Sequence, residues 1–263
     1  MMISESSHVP QESINLAVQA VHYRYGHSPA LEDLSFTVAN GELVALVGRN
    51  GAGKSTLLRC IAGWTRPTQG NVLLQGQAIY QNERWTRRHI VLIPDTPPFY
   101  EALTAWEHAQ MVAQLHHLEN WEGEAEKLFA RFGLWSNRDA FPFMYSRGMR
   151  YKLALCLALL LKPALLLLDE PLGPLDPLSA GYLWGEFGRY QEQGMSILLS
   201  SHQMPYAVHP DRYLVMEQGR LLCQGTPAKL RADLGLTGDF SLDNLLETAV
   251  TNLYPARPTT THD

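Results

Sequence analysis

The sequence predicts an α/β protein whose core is interrupted by an inserted α-helical subdomain. Three observations predict it. Short apolar runs of strand type alternate with helical patterns over residues 43–62 and again over 165–200. Between them, over about residues 95–160, the periodicity is helical. Ahead of them, residues 15–24 and 34–38 alternate and carry Val, Tyr and Phe, as half-buried strands do.

Residues 1–13 read as a flexible tail. Leu43 to Val47 is a short apolar run of the buried-strand type, and a Gly-rich loop and a helix from about Lys54 to Ala62 follow it. Residues 71–79 and 89–93 are further strand candidates. Thr104-Ala105-Trp106-Glu107 has the form of a capping box, with Met111, Leu115 and Leu118 behind it at helical spacing. Helical patterns continue through 122–132 and from about 147 to 161.

The most apolar stretch, Leu153 to Leu168, has the look of a membrane span, but Lys162-Pro163 breaks it and Asp169-Glu170 follows at once. A helix ending at Lys162 and a buried strand at 165–168 explain it better. A helix near 178–193, a strand at 197–200 and a hairpin around Gln218-Gly219 complete the core. Residues 240–249 suit a terminal helix, and the Thr- and Pro-rich last ten residues are expected to be disordered. The main domain is expected over 14–230, with 231–263 as a C-terminal extension.

Composition narrows the function. Hydrophobic residues are 46% and charged residues 18%, which suits a packed core. A formal net charge of −5 argues against nucleic acid, whose phosphates need a basic footprint. The one basic cluster, Arg84 to Arg88, is short and reads as solvated surface. Cys60, Cys156 and Cys223 are far apart and form no CxxC pair, so no disulfide or zinc framework is expected. Met1 to Glu12 has no apolar core of the signal-peptide type.

The strongest chemical signal is Gly48-Arg49-Asn50-Gly51-Ala52-Gly53-Lys54-Ser55, with Thr56 behind it. Glycines let the backbone turn sharply and bring its N–H groups to phosphate oxygens. The following helix aims its positive N-terminus at the same anion. Lys54 is placed to reach the β- and γ-phosphates of ATP, and the Ser55 hydroxyl to reach Mg²⁺.

The second signal is the buried strand that ends in Asp169-Glu170. Ligands in parallel α/β sheets sit beyond the carboxyl ends of the strands. Asp169 can then hold Mg²⁺, and Glu170 can orient and deprotonate the attacking water.

Together these residues resemble the ATP-binding subunit of an ABC transporter, over about residues 14–230. The resemblance implies a P-loop NTPase core of RecA-like type, a mostly parallel sheet with an N-terminal antiparallel β part, with an inserted α-helical subdomain. Tyr25 sits where the family stacks an aromatic on adenine. Tyr145-Ser146-Arg147-Gly148-Met149 resembles the family signature, usually Leu-Ser-Gly-Gly-Gln, with Ser146 and Gly148 kept. In the family this surface binds the γ-phosphate held by a second ATP-binding subunit, a copy of the chain or a related one, so two subunits sandwich two ATPs. Arg147 and Met149 resemble the exporter-type (ABC-2-like) branch, as does the stretch at residues 240–250.

Asp176, in Gly173-Pro174-Leu175-Asp176-Pro177, matches the loop that crosses the dimer interface, and His202 matches the switch histidine on the γ-phosphate. The main departure is Asp95, where the family has a Gln that contacts Mg²⁺ and the attacking water. Asp is a hard oxygen ligand for Mg²⁺ and repels the γ-phosphate where Mg²⁺ is absent, so reduced or retuned hydrolysis is expected.

Phe99, Tyr100 and Trp106 follow Asp95, where the family has a groove for a coupling helix of a transmembrane permease subunit, and they either anchor that helix or pack the helical subdomain. The resemblance thus implies a peripheral subunit on the cytoplasmic side of the membrane that energises transport, in the export direction. The competing reading, a non-transport ABC-type ATPase on nucleic acid or ribosomes, expects a coiled-coil insert or tandem nucleotide domains, and neither is visible. A GTPase expects Asn-Lys-x-Asp, which is absent.

Overall fold

The structure, a computed structural model, describes residues 14–173, 175, 177–202, 210–236 and 241–253. The expected tails, residues 1–13 and the last ten, lie outside the described residues.

Two sheets form the frame. β1 (Ile14–Tyr25) pairs on one side with β2 (Ser28–Ala39) and on the other with β4 (Gln69–Leu74), and the two-residue β5 (Gln77–Ala78) closes this antiparallel sheet. The second sheet has the order β10-β9-β3-β8-β7-β6. Its strands β3 (Leu43–Val47), β6 (Ile90–Ile93), β7 (Leu165–Asp169), β8 (Ser196–Ser201) and β9 (Arg212–Glu217) run parallel, and β10 (Arg220–Gly225) is an antiparallel edge.

β3, β7 and β8 are buried along their whole length, because both faces of the parallel sheet are covered. The period-two alternation of a strand sorts the side chains between two cores. Leu165 and Leu167 point to the side shared with α1 (Lys54–Ile61) and the antiparallel sheet. Leu166 and Leu168 point to the helical side. That side carries α3 (Ala105–His116), α4 (Glu122–Arg131), α5 (Arg147–Leu160), α6 (Pro177–Glu192), α7 (Pro227–Leu234) and α8 (Leu242–Leu253).

The capping box at α3 is formed. The Glu107 N–H donates to Thr104 Oγ1 at 3.2 Å, and the Thr104 N–H to Glu107 Oε2 at 2.7 Å. The apolar stretch divides as expected: α5 ends at Leu160 and the chain turns at Lys162, φ 47°, into β7. Among the described residues no helix is long and apolar enough to cross a membrane.

Several elements differ from expectation. Residues 71–79 are two strands, since Gln75 and Gly76 both take positive φ and turn the chain. The basic cluster is a helix, α2 (Glu83–His89), started by Asn82, whose side chain accepts from the Trp85 N–H at 3.1 Å. β2 begins at Ser28, earlier than 34–38. α7, capped by Thr226, was not predicted. α8 sinks Leu242, Leu245, Leu246 and Ala249 into the main core cluster. Trp106 packs inside the helical subdomain, tilted against Trp121 and edge-on to Phe129 and Trp135, with ring centroids 5.2–5.6 Å away. Phe99 is half-buried, so Tyr100, 64% exposed, is the one of the three aromatics left open.

Candidate functional site

Sheet register assembles the site. β8 lies between β3 and β7, with Val47 opposite Ser201 and Asp169 opposite Ser200. The carboxyl ends of three adjacent strands are therefore level. The loop after Val47, Glu170 after β7 and His202 after β8 leave the sheet side by side, at the edge where α/β proteins bind ligands.

The Gly-rich loop runs from β3 to α1. Gly51 and Gly53 take φ of 83° and 99°. At Gly53 a Cβ would also lie 2.8 Å from the Ala30 carbonyl oxygen, and at Gly48 one would lie 2.4 Å from that of Met216. The loop threads too tightly for side chains there. The turn between β9 and β10 pins it from behind: the Gly219 N–H donates to Ala52 O at 2.9 Å, and Gly219 O accepts from the Glu32 N–H at 2.8 Å.

Gly53 caps α1 without a side-chain hydrogen bond, so the first-turn N–H groups keep their donor capacity. Lys54 is only 6% exposed, and its ammonium donates to Gly48 O at 2.8 Å and Arg49 O at 3.3 Å.

The carboxylates are held from several sides. Ser200 Oγ donates to Asp169 Oδ1 at 2.6 Å and accepts from the Glu170 N–H at 3.0 Å. Glu170 takes φ 51°, a left-handed conformation that a side-chain-bearing residue adopts at a cost. The turn sets its carboxylate between two cations or donors. Oε1 is 3.5 Å from Lys54 Nζ, and Oε2 is 2.8 Å from His202 Nδ1 and 3.2 Å from the His202 N–H. A carboxylate only accepts, so this pairing places the neutral imidazole proton on Nδ1.

Loop, strand ends and β1–β2 turn enclose a cleft of about 640 Å³, lined by Tyr25, Asn50 to Thr56, Asp95, Asp169, Glu170 and Gly219 among others. Tyr25, 52% exposed, reaches Thr56 Oγ1 with its hydroxyl at 3.3 Å. This is the size and chemistry of a nucleotide site: backbone donors and an ammonium for phosphates, and an aromatic face at the open end.

Residues 31–173 match the ABC transporter family, a stretch that holds the loop, Asp95, the signature-like segment and both carboxylates. The chain belongs to the ABC transporter family. It is 34% identical over 233 residues to the ABC-type transporter ATP-binding protein EcsA of Bacillus subtilis (strain 168), covering 88% of this chain and 94% of that one. It is also 34% identical to the aliphatic sulfonates import ATP-binding protein SsuB of Yersinia pestis, over 82% of this chain and 77% of the relative. A solved structure of an ATP-binding subunit of an ABC transporter superposes with a TM-score of 0.82 at 35% identity, covering 88% of this chain and 97% of that one. As such a subunit, the chain binds and hydrolyses ATP and powers transport through a separate membrane component.

The rest of this ABC subunit's expected site is more dispersed. Ser146 caps α5, its Oγ accepting from the Met149 N–H at 3.2 Å. Ser146 and Gly148 are not among the described residues lining the cleft. Asp176 lies outside the described residues. Asp95 lines the cleft, but its Oδ1 accepts from Arg147 Nη2 at 2.7 Å, a pairing the sequence reading did not anticipate. His202 borders a second cavity with Gly48, Arg49, Asn50, Asp243 and Glu247, between the loop and α8. Sequence reading missed Ser200 and the Gln218-Gly219 turn as parts of the site, because only strand pairing brings them there.

Proposed function

We propose that this subunit hydrolyses ATP with Glu170 as the base. The observation that carries this is the Glu170 carboxylate fixed between Lys54 at 3.5 Å and His202 at 2.8 Å, at the mouth of the phosphate loop. The loop N–H groups and Lys54 bind the phosphates, and Tyr25 offers its ring to adenine. Glu170 orients a water and takes its proton. The water oxygen bonds to the γ-phosphorus as the bond to the β-phosphate oxygen breaks, leaving ADP and phosphate. His202 steadies Glu170 and lies at hand for the γ-phosphate.

The residues also fit Mg²⁺. Ser55, Asp95 and Asp169 all line the cleft, which suits an ion held by few protein oxygens and by phosphates. Ser55 and Asp169 would hold it, with Asp95 near. When bound, it would neutralise charge on the phosphates.

Ser146 and Gly148, at the N-terminus of α5, suit a phosphate of a second subunit's nucleotide. Two subunits then close on two ATPs, beside a permease at the cytoplasmic face of the membrane. Export is the direction we infer from Arg147 and Met149, and uptake or efflux in vesicles carrying the co-purified permease would decide it.

The central test is Glu170→Gln. ATP turnover is expected to fall by about 10²–10⁴-fold, with nucleotide affinity retained. Turnover at the parent rate would remove Glu170 from the chemistry. In the same variant, ATP should yield a dimer by light scattering.

A further inference from the structure

The walls of the nucleotide cleft are acidic for a site that takes ATP. Glu32, Asp95, Asp169 and Glu170 line it, and Lys54 is the one cation among the described lining residues. An anion entering such a cleft is repelled wherever a carboxylate lacks a counter-ion. Glu170 has Lys54 and His202 beside it, and Asp169 is bonded by Ser200. Glu32 is served from outside the lining by Arg220, whose Nε lies 2.7 Å from Glu32 Oε2.

Asp95 is served in the same way by Arg147, which is not among the described residues lining the cleft. From the first residue of α5, Arg147 Nη2 donates to Asp95 Oδ1 at 2.7 Å. The helical subdomain holds the rest of this loop at two further points. Three residues on along α5, the Arg150 guanidinium lies 5.8 Å from the centroid of the Phe99 ring. On α3, His108 Nε2 accepts from the Tyr100 N–H at 3.0 Å. Asp95 therefore both lines the cleft and touches α5. The pair is exposed and hence weak, so a divalent cation can displace the guanidinium. A guanidinium and a divalent cation on one carboxylate also repel each other.

We propose that Arg147 is a positioning residue for the nucleotide site of its own subunit: it neutralises Asp95 while no metal is bound and yields that carboxylate to Mg²⁺ when the metal-nucleotide arrives. Arg147 thereby lets ATP enter an acidic cleft and raises the Mg²⁺ concentration needed to fill it. This rests on the reading of Asp95 as a neighbour of Mg²⁺ and the phosphates.

The test is binding of a fluorescent ATP analogue to the full chain, in EDTA and across a Mg²⁺ titration. Arg147→Ala is expected to weaken metal-free binding about threefold and to lower the Mg²⁺ midpoint about threefold. A displaced loop would instead weaken binding under both conditions, so the opposite signs separate charge from structure. Arg147→Lys, which keeps the charge, should stay near the parent in both. Asp95→Asn should strengthen metal-free binding and raise the Mg²⁺ midpoint, and adding Arg147→Ala to it should no longer lower that midpoint. If Asp95→Asn moves both quantities but Arg147→Ala fails to move them in these opposite senses, the proposal is overturned and the reading of Asp95 stands. If Asp95→Asn moves neither, that reading falls and the proposal with it.

Discussion

Arg147 Nη2 lies 2.7 Å from Asp95 Oδ1 and joins the first residue of α5 to the loop after β6. The two are 52 positions apart in sequence. Their side chains are 62% and 45% exposed, so solvent screens the pair. Its consequence lies in placement, since Asp95 lines the nucleotide cleft.

Arg147→Ala and Asp95→Ala are each expected to lower unfolding free energy by less than about 1 kcal/mol in urea titrations. Asp95→Gln, which breaks the charge pair and restores the usual family residue, is expected to change ATP turnover more than twofold, about 0.4 kcal/mol in the barrier. A smaller change would show that this position does not govern rate.

Two glycines should respond with opposite signs to alanine. Gly53→Ala puts a side chain at φ 99° and 2.8 Å from Ala30 O, so it should lose about 1–3 kcal/mol and weaken ATP binding. Gly185 lies in α6 with no atom within 4 Å of its Cβ position, so Gly185→Ala should gain about 0.5–1 kcal/mol. Thermal melting of both variants checks the pair of signs.

Leu245→Ala probes how firmly α8 belongs to the fold. Leu245 is 0% exposed within the main core cluster, so the truncation should cost about 2–5 kcal/mol in urea. A loss below about 1 kcal/mol would mean that α8 detaches readily in solution.

Alkaline pH should destabilise the protein. Burial pushes Cys60 from 9.0 up to about 12. Burial, with smaller contributions from Cys156 and Asp139, pushes Tyr145 from 10.0 up to about 12, and burial alone does the same to Tyr213. The Tyr145 hydroxyl also donates to Asn137 O at 2.7 Å, a bond that needs its proton. The unfolded chain releases these protons first, so it binds fewer of them than the folded state between about pH 9 and 12. Stability is full below about pH 9 and falls as pH rises through that window. A urea midpoint unchanged from about pH 8 to pH 11 would show that these groups ionise as freely as in an unfolded chain.

The parts of the fold legible in advance were those written in contiguous residues. The strand, glycines and helix from Leu43 to Ile61 form one local unit, and a capping box needs only Thr104 and Glu107. α2 escaped because its seven residues are too few for a period to show and are mostly charged. The break at Gln75-Gly76 lacked the usual Asn or Asp before the glycine, so it read as continuous strand. For Trp106, anchoring a partner and packing the helical subdomain both stayed open, because sequence does not say which side of α3 meets α4.

By itself the sequence determined the phosphate loop, the paired carboxylates after an apolar strand and the order of sheet and helices, because each is a local pattern of residue type and spacing. Only tertiary structure decided that Ser200 bonds Asp169, that His202 holds Glu170 and that Arg147 holds Asp95. Those relationships join residues on different strands and helices. Strand register and the rotation of α5 against the sheet set them, and both come from packing the whole core at once.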